Sequence, residues 1–166
     1  MKQATFAVIL VAATAIVPAR ATAEQDGVVS YHGSSDRSGS FIVPGLTWQS
    51  ARSTRADETF QARFNGNLYA QPLYWPASPS AAGEGRLLVA TEDNNVDALD
   101  AATGKQIWTR SLGRPVPRSA LGCGNINPLG VTGTPVIDES NGALFLDAAV
   151  EDSSGPHHRV FEGLSR

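Results

Sequence analysis

A series of short apolar runs separated by turn residues, Arg86 to Trp108 (RLLVATEDNNVDALDAATGKQIW), restricts the fold more than any other part of the chain. Leu87 to Ala90 precedes the polar turn Glu92 to Asn95. A second run, Val96 to Leu99, ends at Asp100. Ala101 to Gly104 then leads into a third run that closes at Trp108. Apolar runs this short, bounded by Asp, Asn and Gly, predict consecutive antiparallel strands. A partial second copy follows, NGALFLDAAVEDSSGPHHRVFEGLS. A tandem strand unit restricts the architecture before any side chain is given a chemical role.

The first unit is predicted as a four-stranded meander. Its strands are Leu68 to Trp75, Arg86 to Thr91, Asn95 to Asp100 and Lys105 to Leu112. Pro72 cannot donate to a ladder, so it belongs at a bulge or a strand start. Gly104 is placed to take positive φ in the tight turn after Asp100, and Asp100 and Thr103 to hydrogen-bond the turn backbone. Upstream, Phe60 to Phe64 alternates apolar and polar, which predicts a half-buried strand before the turn Asn65-Gly66-Asn67. Pro76 to Gly85 is predicted as a flexible surface connection.

After the long connection Gly113 to Gly130 the pattern restarts. Thr134 to Asp138 answers Gln71 to Trp75, with the prolines 63 residues apart. Ala143 to Val150 answers Arg86 to Thr91, with Leu87 and Leu144 57 residues apart. The unequal offsets mean that loop lengths vary while strands recur, as loops tolerate insertions and packed strands do not. His158 to Leu164 is the third strand of the second copy, and the sequence stops where a fourth would begin.

Residues 1–23 carry the marks of a secretory signal peptide. The run Phe6 to Val17 is too short to span a bilayer, Pro18 breaks it, and Ala21-Thr22-Ala23 is an A-x-A cleavage signal. The competing reading is an N-terminal membrane anchor. Cleavage after Ala23 removes Lys2 and Arg20 and leaves 11 basic against 16 acidic residues, a net of −5. No basic cluster remains, which argues against a nucleic-acid partner. The rest of the chain has no second apolar run long enough for a membrane helix. Sixteen Gly and ten Pro favour turns over long helices. Residues 24–59 are expected as an extended leader, with Ala51 to Thr59 as one helical turn or a polar loop. Cys123 stands alone. It is expected as a small buried side chain in a loop, with a bond to another chain or to a missing segment as the alternatives.

The residues VDALDAATGKQIW, with the preceding LLVATEDNN and the restart GVTGTPVID, resemble the beta-propeller repeat family named after pyrroloquinoline quinone enzymes. The resemblance covers about Phe60 to Leu164. It implies an all-β fold: a partial beta-propeller of four-stranded antiparallel blades, about one and three-quarter blades across residues 60–166, preceded by the signal peptide. Trp108 on the outer strand would then cover the sheet. A propeller needs about four to eight blades, so the chain is expected to be the N-terminal part of a longer protein or a truncated product. Open blade edges favour association.

The resemblance also raises a quinone-dependent dehydrogenase, with pyrroloquinoline quinone and calcium on the propeller axis. No residue here matches the motifs that hold them, so no cofactor or metal is assigned to this chain. The expected role is a secreted or periplasmic, non-catalytic binding or scaffold module, with a protein or small-molecule ligand at one rim of loops. The alternatives are the N-terminal part of such a dehydrogenase, its active residues beyond Arg166, and a truncated product without activity of its own. In a meander, alternate connections emerge at the same end, which groups Glu92 to Asn95, Gly122 to Pro128 and Ser153 to His158. The candidate ligand-binding residues are Asp93, Asn94, Asn95, Asn125, His157 and His158. Asp93, Asn94 and Asn95 are also good turn formers. His157 and His158 point to opposite faces of a strand, which favours a solvent-exposed pair over a metal site. No catalytic residue is identified.

Overall fold

The computed structural model describes residues 27–76 and 85–164. The expected signal peptide, and most of the connection from Pro76 to Gly85, lie outside them. The fold is all-β, built from two antiparallel sheets with almost no helix.

The first sheet is the four-stranded meander. β1 (Leu73–Trp75), β2 (Arg86–Ala90), β3 (Asn95–Asp100) and β4 (Gln106–Ser111) lie in chain order across it. β1 is shorter than the run Leu68 to Trp75, and Pro72 stands just before its start. Gly104 has φ +74°, and a Cβ there would lie 2.6 Å from the backbone nitrogen of Ala62. The residue is therefore glycine for both conformation and close approach. The Thr103 amide and hydroxyl both donate to Asp100 Oδ1, at 2.8 and 2.7 Å.

The same device recurs where an aspartate accepts from a hydroxyl and an amide two residues on: Asp57 with Thr59, Asp138 with Ser140, Asp152 with Ser154. In Asp100 the Thr103 hydroxyl and then its amide hold the carboxyl below its ordinary value of 3.8. A lowered folded-state value means that the turn's contribution is full above the ordinary value. It is lost as pH falls through the folded one. Asp100→Asn should keep the turn at neutral pH and flatten the fall of Tm as pH drops below the ordinary carboxyl value of 3.8, read by thermal melts over an acid series.

The second sheet has three strands: β5 (Val136–Asp138), β6 (Ala143–Asp152) and β7 (Gly155–Leu164), again in chain order. β7 begins before the predicted His158, because the β6–β7 hairpin turns at Ser153–Ser154 and pairs without a register shift from Asp152↔Gly155 to Ala143↔Leu164.

The two sheets stack face to face. Period-two alternation puts Leu88, Ala90, Val96 and Ala98 on one face of the first sheet. Ile137, Leu144, Leu146, Ala148 and Val150 lie on the facing side of the second, and all are buried in one shared core. Trp108 and Phe161 close that core from β4 and β7 and stay half-buried. Equivalent positions of the two copies touch: the Gln71 amide donates to Thr134 Oγ1 at 3.0 Å. Residues 27–29 run between the inner edges. Val28 exchanges backbone bonds with Tyr74, and the Ile137 amide donates to the Val29 carbonyl at 2.8 Å.

Two expectations are corrected, and one pair of alternatives is decided. Phe60 to Phe64 forms no strand. It crosses the β3–β4 turn, held by the Gln61 amide donating to the Thr103 carbonyl at 3.0 Å, and has no ladder partner along its length. Of the two readings of Ala51 to Thr59, the polar loop holds beyond Arg52, and the helical turn is α1 (Trp48–Arg52), which starts earlier because Thr47 and Ser50 form a capping box. Cys123 is exposed rather than buried.

Candidate functional site

Alternation along β3 sends Val96 and Ala98 to the core and leaves Asn95, Asp97 and Leu99 on the opposite face. The segment 61–65 passes over that face. Between them lies a groove of about 750 Å³, lined by Asn95 and Asp97 from β3, Gln106 and Thr109 from β4, and Arg63 and Asn65 from the crossing segment. Phe64 adds an aromatic side to it.

A register shift builds the groove's floor. β3 and β4 pair Asp97 with Thr109 and Ala98 with Trp108, but Leu99 then pairs with Gln106. Ile107 is the extra residue, left 46% exposed. Without the bulge, strict alternation would turn Gln106 to the core face. With it, Gln106 Nε2 donates to Asp97 Oδ1 at 2.6 Å. Asp97 is only 2% exposed, and its Oδ2 is buried with no partner among the described residues. Arg63 is exposed and enters no ion pair among the described residues, so the groove has a cationic donor at its mouth and a carboxylate at its base.

The candidates named from sequence have three different fates. Asn95 lines the groove. Asn94 is fully buried with φ +59°, and its Nδ2 donates to the Ala149 carbonyl at 2.8 Å, so it joins the β2–β3 turn to β6. Asp93, half-buried, keeps its Oδ2 against Gly66, 3.1 Å from where a Cβ would stand.

Asn125 is exposed on the long connection. His157 and His158 occupy opposite faces of β7. His157 sits 3.5 Å from Asp152, and His158 Nδ1 lies 2.7 Å from Asp147 Oδ2. No hydrogen bond links these three residues to the turn at 91–95 among the described residues. The structure thus parts Asn95, on the groove, from Asn94, which reaches Ala149, the β6 residue that pairs with His158.

Sequence reasoning missed Arg63, Asn65, Asp97, Gln106 and Thr109. A buried Asp in the middle of an apolar strand was the available signal, since an acid there needs a polar environment.

Glu92 forms a second polar centre beside the groove. It is 2% exposed, and Asn67 Nδ2 donates to its Oε1. Among the described residues, no three His, Cys, Asp or Glu side chains come together that could hold a metal ion, and no helix is long and apolar enough to cross a membrane. All three histidine Nδ1 atoms lie beside carbonyl or carboxylate oxygens, of Arg37, Gly155 and Asp147. No protein-family model matches the chain, and a search of curated proteins finds no match to it.

Proposed function

We propose that the chain is a secreted or periplasmic, non-catalytic binding module of the quinoprotein-like propeller type, taking a small hydroxyl-rich ligand in the groove over β3 and β4. The groove's chemistry carries the reading: amide, hydroxyl and guanidinium groups of Asn65, Asn95, Gln106, Thr109 and Arg63 converge around the buried Asp97 carboxylate. Such a set offers both donors and acceptors to vicinal hydroxyls, and Phe64 offers an apolar face. The propeller part rests on the up-and-down order of both sheets, their face-to-face packing, and the ALDAATG turn followed by Trp108. Export rests on the features of residues 1–23.

The test is calorimetric titration of the 24–166 chain with a panel of neutral mono- and disaccharides. At least one should bind, and Asn95→Ala should weaken it about tenfold, the effect of one lost hydrogen bond in a desolvated site. The reading fails if no sugar in the panel binds, or if Asn95→Ala and Arg63→Ala both bind as the parent does.

A further inference from the structure

We infer that Asn65 modifies itself: the Gly66 amide nitrogen closes on the Asn65 side-chain carbonyl, and the resulting ring opens to aspartate or isoaspartate on the wall of the groove. The conversion is independent of what the groove binds, while its effect on a ligand rests on the function proposed above.

Asparagine is chemically labile where a neighbouring amide can reach its side chain. Two of the seven asparagines, Asn65 and Asn141, precede a glycine, which has no side chain to shield its own amide. The other five precede Leu, Asn, Val, Ile or Pro. The fold treats the two pairs differently. Gly142 is buried, and its amide donates to the Asp138 carbonyl at 2.8 Å. Asn141 Oδ1 accepts from the Ala143 amide at 2.7 Å. Attacking and attacked groups are both held there, so reaction at Asn141 waits on local opening. Asn65 and Gly66 are exposed, and neither the Gly66 amide nor the Asn65 side chain is hydrogen-bonded among the described residues. The turn also requires glycine at 66. Its φ is +93°, and a Cβ there would lie 3.0 Å from Thr91 Oγ1 and 3.1 Å from Asp93 Oδ2.

In the first step the Gly66 nitrogen forms a bond to Asn65 Cγ and loses its proton. The bond from Cγ to Nδ2 breaks, and that nitrogen takes up a proton and leaves as ammonia. The product is a cyclic imide. Water then adds to either of its two carbonyls and the ring opens, giving aspartate from one and isoaspartate from the other. Nothing is oxidised or reduced. Both products put a carboxylate where a neutral amide stood. Asn65 lines the groove whose base is the buried Asp97 carboxylate. The groove therefore loses an amide donor and gains a charge of the sign it already holds. Isoaspartate also lengthens the backbone by a methylene between two anchors. These are the Gln61 amide on the Thr103 carbonyl and the Glu92 amide on the Asn67 carbonyl, at 3.0 and 3.4 Å. The added length has to bow out between them.

The test is incubation of the 24–166 chain at mildly alkaline pH, once folded and once in guanidinium chloride, with peptide mass spectrometry reading the two sites separately. In the unfolded chain both pairs should convert at similar rates, because each has glycine next. In the folded chain Asn65 should convert about tenfold faster than Asn141 or more, the ratio expected where a net hydrogen bond must open first. Equal rates in the folded chain overturn the inference. So does an Asn65 that stays intact over the time in which the unfolded chain converts. The modified chain carries an added negative charge and separates by anion exchange. It should bind a sugar that the parent binds about tenfold more weakly. Equal affinity overturns the effect on the groove, and the modification itself is read by mass with or without a ligand.

Discussion

Gly130→Ala should unfold this protein at a markedly lower urea concentration, with a loss of about 3 kcal/mol or more. Gly130 lies at the end of the long connection, buried where it passes over the β2–β3 turn, and its carbonyl accepts from the Ala149 amide. A Cβ there would overlap the Glu92 carbonyl oxygen and Asn94 Oδ1. Neither neighbour has room to give way: one is backbone, and the other belongs to a side chain with no exposed surface. Relief would require the connection to lift from the turn and separate it from β6. Gly133→Ala is the matched control. It is exposed and its Cβ would meet nothing within 4 Å, so its midpoint should move by no more than about 0.5 kcal/mol. Equal midpoints for the two variants would refute the close approach.

Asn94 should show a stability order of Asn above Gly above Ala. Its backbone sits at φ +59°, a region that asparagine and glycine enter far more readily than alanine. Its carbonyl accepts from the Leu112 amide at 2.8 Å and its side chain donates to the Ala149 carbonyl at 2.8 Å. One residue therefore ties the β2–β3 turn to the end of β4 and to β6. Asn94→Gly keeps the conformation and leaves the Ala149 carbonyl short of its side-chain donor, at a cost of about 1–3 kcal/mol. Asn94→Ala adds backbone strain of about 1 kcal/mol. Chemical denaturation of the two variants separates these terms. If the side chain served a ligand instead of the fold, Asn94→Gly would leave the unfolding midpoint in place and change only binding.

The contrast between Asn94 and Asn95 shows where sequence reasoning ends. Both lie in one polar run and look alike as turn formers. The run marks a turn between two apolar strands, and that much is local. Which of the two faces the groove depends on β6 approaching from more than fifty residues away. His157 and His158 were separable in advance, because alternation puts neighbours on opposite faces. Their acidic partners, Asp152 and Asp147, follow only from the β6–β7 register. Phe60 to Phe64 alternates as a strand does, yet it lacks a neighbour to pair with, since the β3–β4 turn takes its backbone contact at Gln61.

The amino-acid sequence determined the strands of both sheets, their chain order and the turn at Asp100 to Gly104. These follow from apolar runs and from turn residues acting within a few positions of themselves. Tertiary structure decided which faces meet, that Asn94 is a joint between sheets, and that a one-residue bulge at Ile107 brings Gln106 to Asp97. Those outcomes rest on register and on contacts between distant segments, and a shift of one residue in a strand reverses the side to which a polar group points.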